Sequence, residues 1–129
     1  MPTRHAAVWL DHEEAKVFHL DPSSVERSDL HVTHHLRKPH KLGGHAELHR
    51  SVAEEHPFFD EVAKHLAGAE EILVVGPAGT RLEFVKFVQE RHKDLARKIV
   101  GVEASDHPTD GQLVAHAREY FLAADALRG

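Results

Sequence analysis

The sequence of 129 residues contains no cysteine. Disulfides, thiolate metal sites, iron–sulfur clusters and thiol nucleophiles are therefore excluded. It also lacks any run of about 18 apolar residues, so we predict no transmembrane helix. At the N-terminus a short apolar stretch is followed at once by acidic residues, which is untypical of a signal peptide. We therefore expect a cytoplasmic protein.

The sequence also lacks a large net charge, because 16 lysines and arginines nearly balance 21 acidic residues and leave a formal net charge of −5. This small acidic excess argues against nucleic-acid binding over the whole surface, but it leaves room for a local basic patch. Hydrophobic residues make up 41% and charged residues 29% of the chain, which is typical of a globular protein. The length predicts one domain, spanning residues 1–129.

The first third of the sequence has the pattern of an antiparallel meander. Two short apolar stretches, Ala6–Leu10 and Ala15–Leu20, are separated by a polar turn. A second turn is predicted at Asp21–Ser24, and a third strand at Leu30–Leu36, where apolar and polar residues alternate. Three strands joined by short turns are therefore expected.

After Pro57 the spacing of apolar residues becomes helical. Phe58, Val62 and Leu66 recur at intervals of four, which predicts an amphipathic helix that stops at Gly68. Two strands are predicted downstream, at 71–75 and 99–103. Their apolar runs predict a parallel central pair, nearly fully buried on both faces.

Two further helices are predicted from capping boxes. In the first, over 80–92, Thr80 and Glu83 form the box, and in the second, Thr109 and Gln112. The expected buried stripes are Leu82, Val85 and Val88 in the first, and Leu113, Ala117, Tyr120, Phe121 and Ala124 in the second. The order β-β-β-α-β-α-β-α predicts an α/β fold, with helices on the faces of a mixed sheet.

The most informative segment lies between His31 and Arg50. It contains six of the 14 histidines, where an even distribution would give about two. It also contains four Arg and Lys residues against one acid, Glu47. Local charge determines where a phosphate backbone docks, so RNA is one candidate partner. A solvated loop that serves solubility is the other interpretation.

The same segment could bind a metal ion. His45 and His49 would share one face if that stretch is helical, and Glu47 or a strand histidine could complete the shell. His40 is a further candidate ligand. Zinc or another divalent ion is therefore possible, in a binding protein or in a metal-dependent hydrolase, although the spacing matches no established zinc motif. No other cofactor is expected.

Three other places carry polar groups that a structural role explains as well. Gly76–Thr80 has the composition of a βα turn and lacks the lysine of a P-loop. Asp11 follows the first strand, where a turn aspartate is common. Asp106–Asp110 could pair an acid with an imidazole, but a loop that leads into a capped helix explains it equally well. We predict structural roles for the first two places.

The order of elements and one motif resemble a known family. Gly43-Gly44-His45, followed by a helix-compatible stretch, resembles the Gly-Gly-Gln loop in the middle domain of archaeal and eukaryotic peptide-chain release factors, and that domain's counterpart in Pelota. Bacterial proteins labelled "translational machinery protein" look most similar. Similarity extends through 72–76, 100–103 and 106–112. The resemblance implies a ribonuclease-H-like mixed sheet with helices on both faces.

The resemblance also implies a partner, namely the ribosome, its rRNA or tRNA. The basic His/Gly loop, residues 37–50, would be the contact surface. The residues expected to bind RNA are Arg37, Lys38, Lys41, Gly43, Gly44, His45 and Arg50. Because His45 stands where release factors have glutamine, we expect no intrinsic catalysis, and His45 would be the catalytic residue if there were one. No membrane partner is expected, and a homo-oligomer is compatible with the sequence.

Overall fold

The computed structural model describes residues 4–32 and 57–128. The first three strands are β1 (His5–Leu10), β2 (Glu14–Leu20) and β3 (Val25–His31). Residues 57–65 form helix α1. They are followed by β4 (Glu71–Gly76), α2 (Ala78–Arg91), the short α3 (Lys93–Ala96), β5 (Ile99–Ala104) and α4 (Asp110–Arg128). Within the described residues the predicted order of strands and helices is confirmed, and one short helix, α3, is additional.

The five strands form one mixed sheet in the order β3-β2-β1-β4-β5. β1 pairs antiparallel with β2 and parallel with β4, so that Val8 lies between Val17 and Val74. β2 and β3 are antiparallel, and β4 and β5 are parallel. This confirms the predicted α/β class and the mixed sheet, with β1 at its centre.

Both faces of β1 are buried because successive side chains point to opposite faces of a strand. Ala6, Val8 and Leu10 belong to a core cluster that also includes buried residues of α1 and α2. Ala7 and Trp9 belong to a second cluster, which α4 covers. The helices therefore lie on both faces of the sheet, as predicted.

The third strand was predicted too late in the chain. β3 begins at Val25, directly after the turn at 21–24, and ends at His31, whereas Leu30–Leu36 had been expected. In this turn the Asp21 amide donates to the Ser24 carbonyl over 2.9 Å. In the described part of the chain β3 pairs with β2 alone, so most of its side chains face solvent and few are apolar. The hydrophobic pattern therefore gave no signal for this strand.

The burial predicted for the parallel pair is correct for β4 and wrong for β5. Every residue from Ile72 to Val75 is buried, whereas Val100 and Val102 are 38% and 40% exposed. In the described residues β5 pairs only with β4, at the edge of the sheet. An apolar run is therefore compatible with an edge strand here.

The capping box predicted for the second helix is absent from the structure. α2 begins at Ala78, with Pro77 as its N-cap and no side-chain cap hydrogen bond. Thr80 is instead buried inside the first turn. Leu82 is 55% exposed and Val85 only partly buried, whereas Val88 is buried as predicted. The observed buried stripe consists of Thr80, Phe84, Phe87 and Val88.

The other two helices follow their predictions closely. Thr109 and Gln112 form a reciprocal capping box before α4, with hydrogen bonds of 2.9 and 3.1 Å. Leu113, Ala117 and Phe121 are buried on that helix. Gly68, with φ +92°, follows α1. Among the helices of residues 57–128, none is sufficiently long and apolar to cross a membrane.

The two edges of the sheet differ in what meets there. We use the name carboxyl edge for the end of the sheet at which β1, β4 and β5 terminate, and not for an outermost strand. β2 starts and β3 ends at this same end of the sheet. Gly76 lies there with φ +153°, and a Cβ atom at this position would be 2.4 Å from the Leu10 carbonyl oxygen. The amino edge, at the other end of the strands, contains His5 and Glu71.

Candidate functional site

The predicted RNA-binding residues and the predicted metal ligands all lie between residues 37 and 50, outside the described residues. Their roles remain predictions. The structure does describe where the chain enters this region. The Val32 amide donates to the Glu13 carbonyl over 2.9 Å, which places Val32 at the carboxyl edge. Val32 and Phe58 belong to the same core cluster, so the chain is anchored in that cluster on both sides of residues 33–56.

The carboxyl edge is where open α/β sheets most often bind ligands. α2 and α4 both begin at this edge, because each follows a strand that ends there. The first amides of a helix lack intrahelical acceptors and carry a partial positive charge. This edge therefore combines two helix starts with the point at which the chain enters the histidine-rich region.

Two cations at the carboxyl edge, Lys16 and Arg27, are engaged in a network of ion pairs. Arg27 donates to both carboxylate oxygens of Asp29, over 2.9 and 2.8 Å, and also to Asp110. Lys16 lies 3.3 Å from Asp110. The hydrogen bond from Arg27 holds the pKa of Asp29 below its ordinary value, and the pKa of Arg27 is raised by the same bond. Since both cations already have carboxylate partners, we assign neither to a phosphate.

The loop before α4 is held against β1. The Trp9 indole donates to the Asp106 carbonyl over 2.9 Å, and the His107 ring lies 4.9 Å from the Trp9 ring. The capping box of α4 follows directly. Of the two interpretations of 106–110, these contacts favour the loop that leads into a capped helix.

Asp11 acts as a turn residue, as predicted. Its carboxylate accepts the amides of Glu13 and Glu14 over 2.8 and 2.9 Å, which closes the turn between β1 and β2. Next to it, His12 Nδ1 lies 3.1 Å from the buried Thr80 hydroxyl. This contact replaces the predicted capping role of Thr80, and it fixes the start of α2 against the β1–β2 turn.

The turn between β4 and α2 is also structural. The Arg81 guanidinium donates back to the Gly76 carbonyl over 3.1 Å. The predicted βα turn is therefore observed.

A second cluster of chemically active side chains lies at the amino edge, and the sequence analysis missed it. His5 Nε2 is 3.2 Å from a Glu71 carboxylate oxygen and 3.5 Å from an Asp125 oxygen. These residues are far apart in the sequence and form no motif. The parallel pairing of β1 with β4 aligns His5 with Glu71, and the packing of α4 against the same face of the sheet adds Asp125.

Comparison with known proteins points to one group. No family model matches the chain. The Pelota homolog of Thermococcus kodakarensis is 30% identical over 86 residues, which is 62% of this chain and 24% of the relative. The chain thus spans about a quarter of that protein's length.

Solved structures of Pelota and of a termination factor have a fold similar to that of this chain. Archaeoglobus fulgidus Pelota matches with a TM-score of 0.62 at 17% identity, over 99% of this chain and 37% of that one. An archaeal translation termination factor matches with a TM-score of 0.60 at 17% identity, over 97% of this chain and 39% of that one. Thermoplasma acidophilum Pelota matches with a TM-score of 0.57 at 18% identity, over 85% of this chain and 30% of that one. The chain resembles a domain of Pelota and of the archaeal termination factor. The sequence-based resemblance is therefore confirmed.

Proposed function

We propose that this chain acts in translation, as a non-catalytic protein that contacts the ribosome or structured RNA through residues 37–50. The observation that carries the proposal is the double resemblance, in sequence to a Pelota homolog and in fold to Pelota and an archaeal termination factor. The relatives are longer proteins, so the proposal concerns the part that this chain resembles.

The charge distribution supports residues 37–50 as the contact surface. Arg37, Lys38, Lys41 and Arg50 lie in this stretch with one acid, Glu47, although the whole chain is acidic. Of the described cations at the carboxyl edge, Lys16 and Arg27 are paired with carboxylates, and Arg81 donates to the Gly76 carbonyl. The stretch 37–50 has an excess of positive charge, and the chain enters this part of the sequence at the same edge.

Each residue type in the segment suits a different contact. Arginine and lysine neutralise phosphates, and arginine can do so with two parallel hydrogen bonds. Gly43 and Gly44 carry no side chain, so the backbone can approach RNA closely. His45 replaces the glutamine of the release-factor motif. An imidazole can hydrogen-bond water, but backbone N–H groups would have to position it, so we propose binding without hydrolysis.

The proposal is tested by sedimentation with ribosomes. We expect the wild-type protein to pellet with ribosomes at low salt, and the variant Arg37→Glu/Lys38→Glu/Lys41→Glu to stay in the supernatant. Binding should also weaken steeply as salt rises, because each neutralised phosphate releases counterions. The triple variant should keep the wild-type Tm, since surface changes usually alter stability by under about 0.5 kcal/mol.

A matched control separates local from net charge. The same change of charge is made at three exposed lysines of the described helices, Lys64, Lys86 and Lys93. This control should still sediment with ribosomes. Wild-type protein that never pellets with ribosomes or RNA at low salt would contradict the proposal. Equal loss in both triple variants would show that only net charge matters.

A further inference from the structure

The cluster at the amino edge joins three separate elements. His5 is the first residue of β1, Glu71 the first of β4, and Asp125 lies near the end of α4. One ligand atom from each, a ring nitrogen and two carboxylate oxygens, lie within 4.8 Å of one another. Histidine and carboxylate groups are common ligands of divalent transition metals.

The distances resemble the edges of a coordination polyhedron. Zinc bonds of about 2.0–2.2 Å place neighbouring ligands of a tetrahedral site about 3.3 Å apart. The His5 nitrogen lies 3.2 Å from Glu71 and 3.5 Å from Asp125. This nitrogen is buried, and its contact with Glu71 is not aligned as a hydrogen bond. The Glu71 and Asp125 oxygens lie within 4.8 Å of each other, which is close enough for one ion to contact all three atoms.

The fold holds two of the three ligands in place. His5 and Glu71 are register partners in the parallel pair of β1 and β4, so the sheet fixes their spacing. The His5 ring stacks on Phe121, with centroids 4.2 Å apart and planes inclined by 11°. Asp125 lies one helical turn beyond Phe121, on the same face of α4. Packing thus supplies the rigidity that a metal site needs.

We propose that His5, Glu71 and Asp125 form a binding site for a divalent transition-metal ion, with zinc as the ion to test. Two carboxylates would balance the charge of the ion, and imidazole nitrogen suits zinc better than calcium or magnesium. A surface cavity of about 390 Å³ is lined by His5 and Asp125. It gives an ion a path from solvent and leaves space for water as a fourth ligand. None of the three proposed ligands belongs to the histidine-rich segment of residues 31–50.

The competing explanation is an ion pair between a protonated His5 and the two carboxylates. That arrangement needs no metal and uses the same three side chains. The two explanations differ in one measurable property, since only the first predicts a stoichiometric zinc equivalent that depends on all three side chains.

The test uses the full chain in a background that removes the other histidine cluster. In this background six histidines are changed to glutamine: His31, His34, His35, His40, His45 and His49. We expect isothermal titration with zinc chloride to show one equivalent bound, and zinc to raise the Tm because it binds only the folded state. Asp125→Asn should weaken binding more than about 10-fold, since even indirect partners of metal ligands contribute that much.

Two further variants complete the test. Glu71→Gln should also lose the equivalent. His116→Gln, which removes another histidine 2.5 Å from a carboxylate, should keep it. Asp125 is 41% exposed on a helix, so Asp125→Asn should fold even where a change at His5 does not. A background protein that binds no zinc, or zinc binding that is as tight in Asp125→Asn or in Glu71→Gln as in the background protein, would overturn the proposal.

Discussion

Gly76→Ala should destabilise the protein strongly, because the substitution affects the junction of β1 and β4 at the carboxyl edge. The added Cβ atom would lie 2.4 Å from the Leu10 carbonyl oxygen. That oxygen belongs to the backbone of the central strand and cannot move without disturbing the sheet. Overpacking of this kind costs about 1–3 kcal/mol.

A second cost comes from the backbone conformation. The φ angle of +153° at Gly76 is one that side-chain-bearing residues rarely adopt. Holding an alanine there costs a further 1–3 kcal/mol or so. We therefore expect the free energy of unfolding to fall by about 2–6 kcal/mol. Since small domains have only about 5–15 kcal/mol in total, this loss would be a large part of the stability of the protein.

Gly79→Ala is the matched control, three residues further along the chain. A Cβ at Gly79 meets nothing within 4 Å, and the residue lies in the first turn of α2. Alanine there should stabilise by up to about 1 kcal/mol, because it reduces the freedom of the unfolded chain. Urea denaturation followed by circular dichroism measures both variants. If Gly76→Ala lowered the stability by less than about 0.5 kcal/mol, the tight junction described here would be refuted.

Three further predictions concern packing, ion pairing and the histidines. Gly101→Ala would place a Cβ 2.3 Å from the Tyr120 hydroxyl oxygen, and should cost about 1–3 kcal/mol in urea denaturation. The double variant Gly101→Ala/Tyr120→Ala should lose less stability than the sum of the losses in the two single variants, because Tyr120→Ala removes the side chain that the new Cβ would meet. Asp29, whose pKa lies below the ordinary 3.8, stabilises the fold above that pH and loses this effect as the pH falls through its lowered pKa. The difference in urea midpoint between wild type and Asp29→Asn should therefore narrow between pH 7 and about pH 3; a constant difference would contradict it. RNA affinity, measured by fluorescence anisotropy, should rise between about pH 7.5 and 5.5, as imidazoles gain charge near pKa ~6.5. If residues 37–50 hold a metal instead, acidification should release it. On the same acidification, the RNA affinity of a variant with glutamine at His40, His45 and His49 should rise less than that of the wild type.

The elements predicted best from the sequence are those with strong hydrophobic signals. β4 is buried on both faces, and its apolar run indicates this directly. α1 shows the helical spacing of Phe58 and Val62, and both are buried. The capping box of α4 needs only residues three apart, so local sequence is enough to predict it.

The errors have a shared cause, which is that tertiary contacts decided the outcome. β3 is formed by its pairing with β2 and has little apolar signal of its own. Thr80 resembled a cap, but a hydrogen bond with His12, distant in sequence, accounts for its position. β5 looked like a central strand because composition does not show which strand lies at an edge. The amino-edge cluster depends on the register of β1 with β4, which no local pattern contains.

The placement of α4 has a consequence for synthesis of the protein. One face of the central sheet, including Trp9, Phe18 and Leu73, is covered by Leu113 and Phe121 of that helix. Ribosomes add about 5–20 residues per second and release the N-terminal part first. This apolar face therefore stays exposed for several seconds, until α4 emerges from the ribosome. A nascent chain arrested before α4 would present an uncovered hydrophobic sheet, and would be a natural substrate for chaperones.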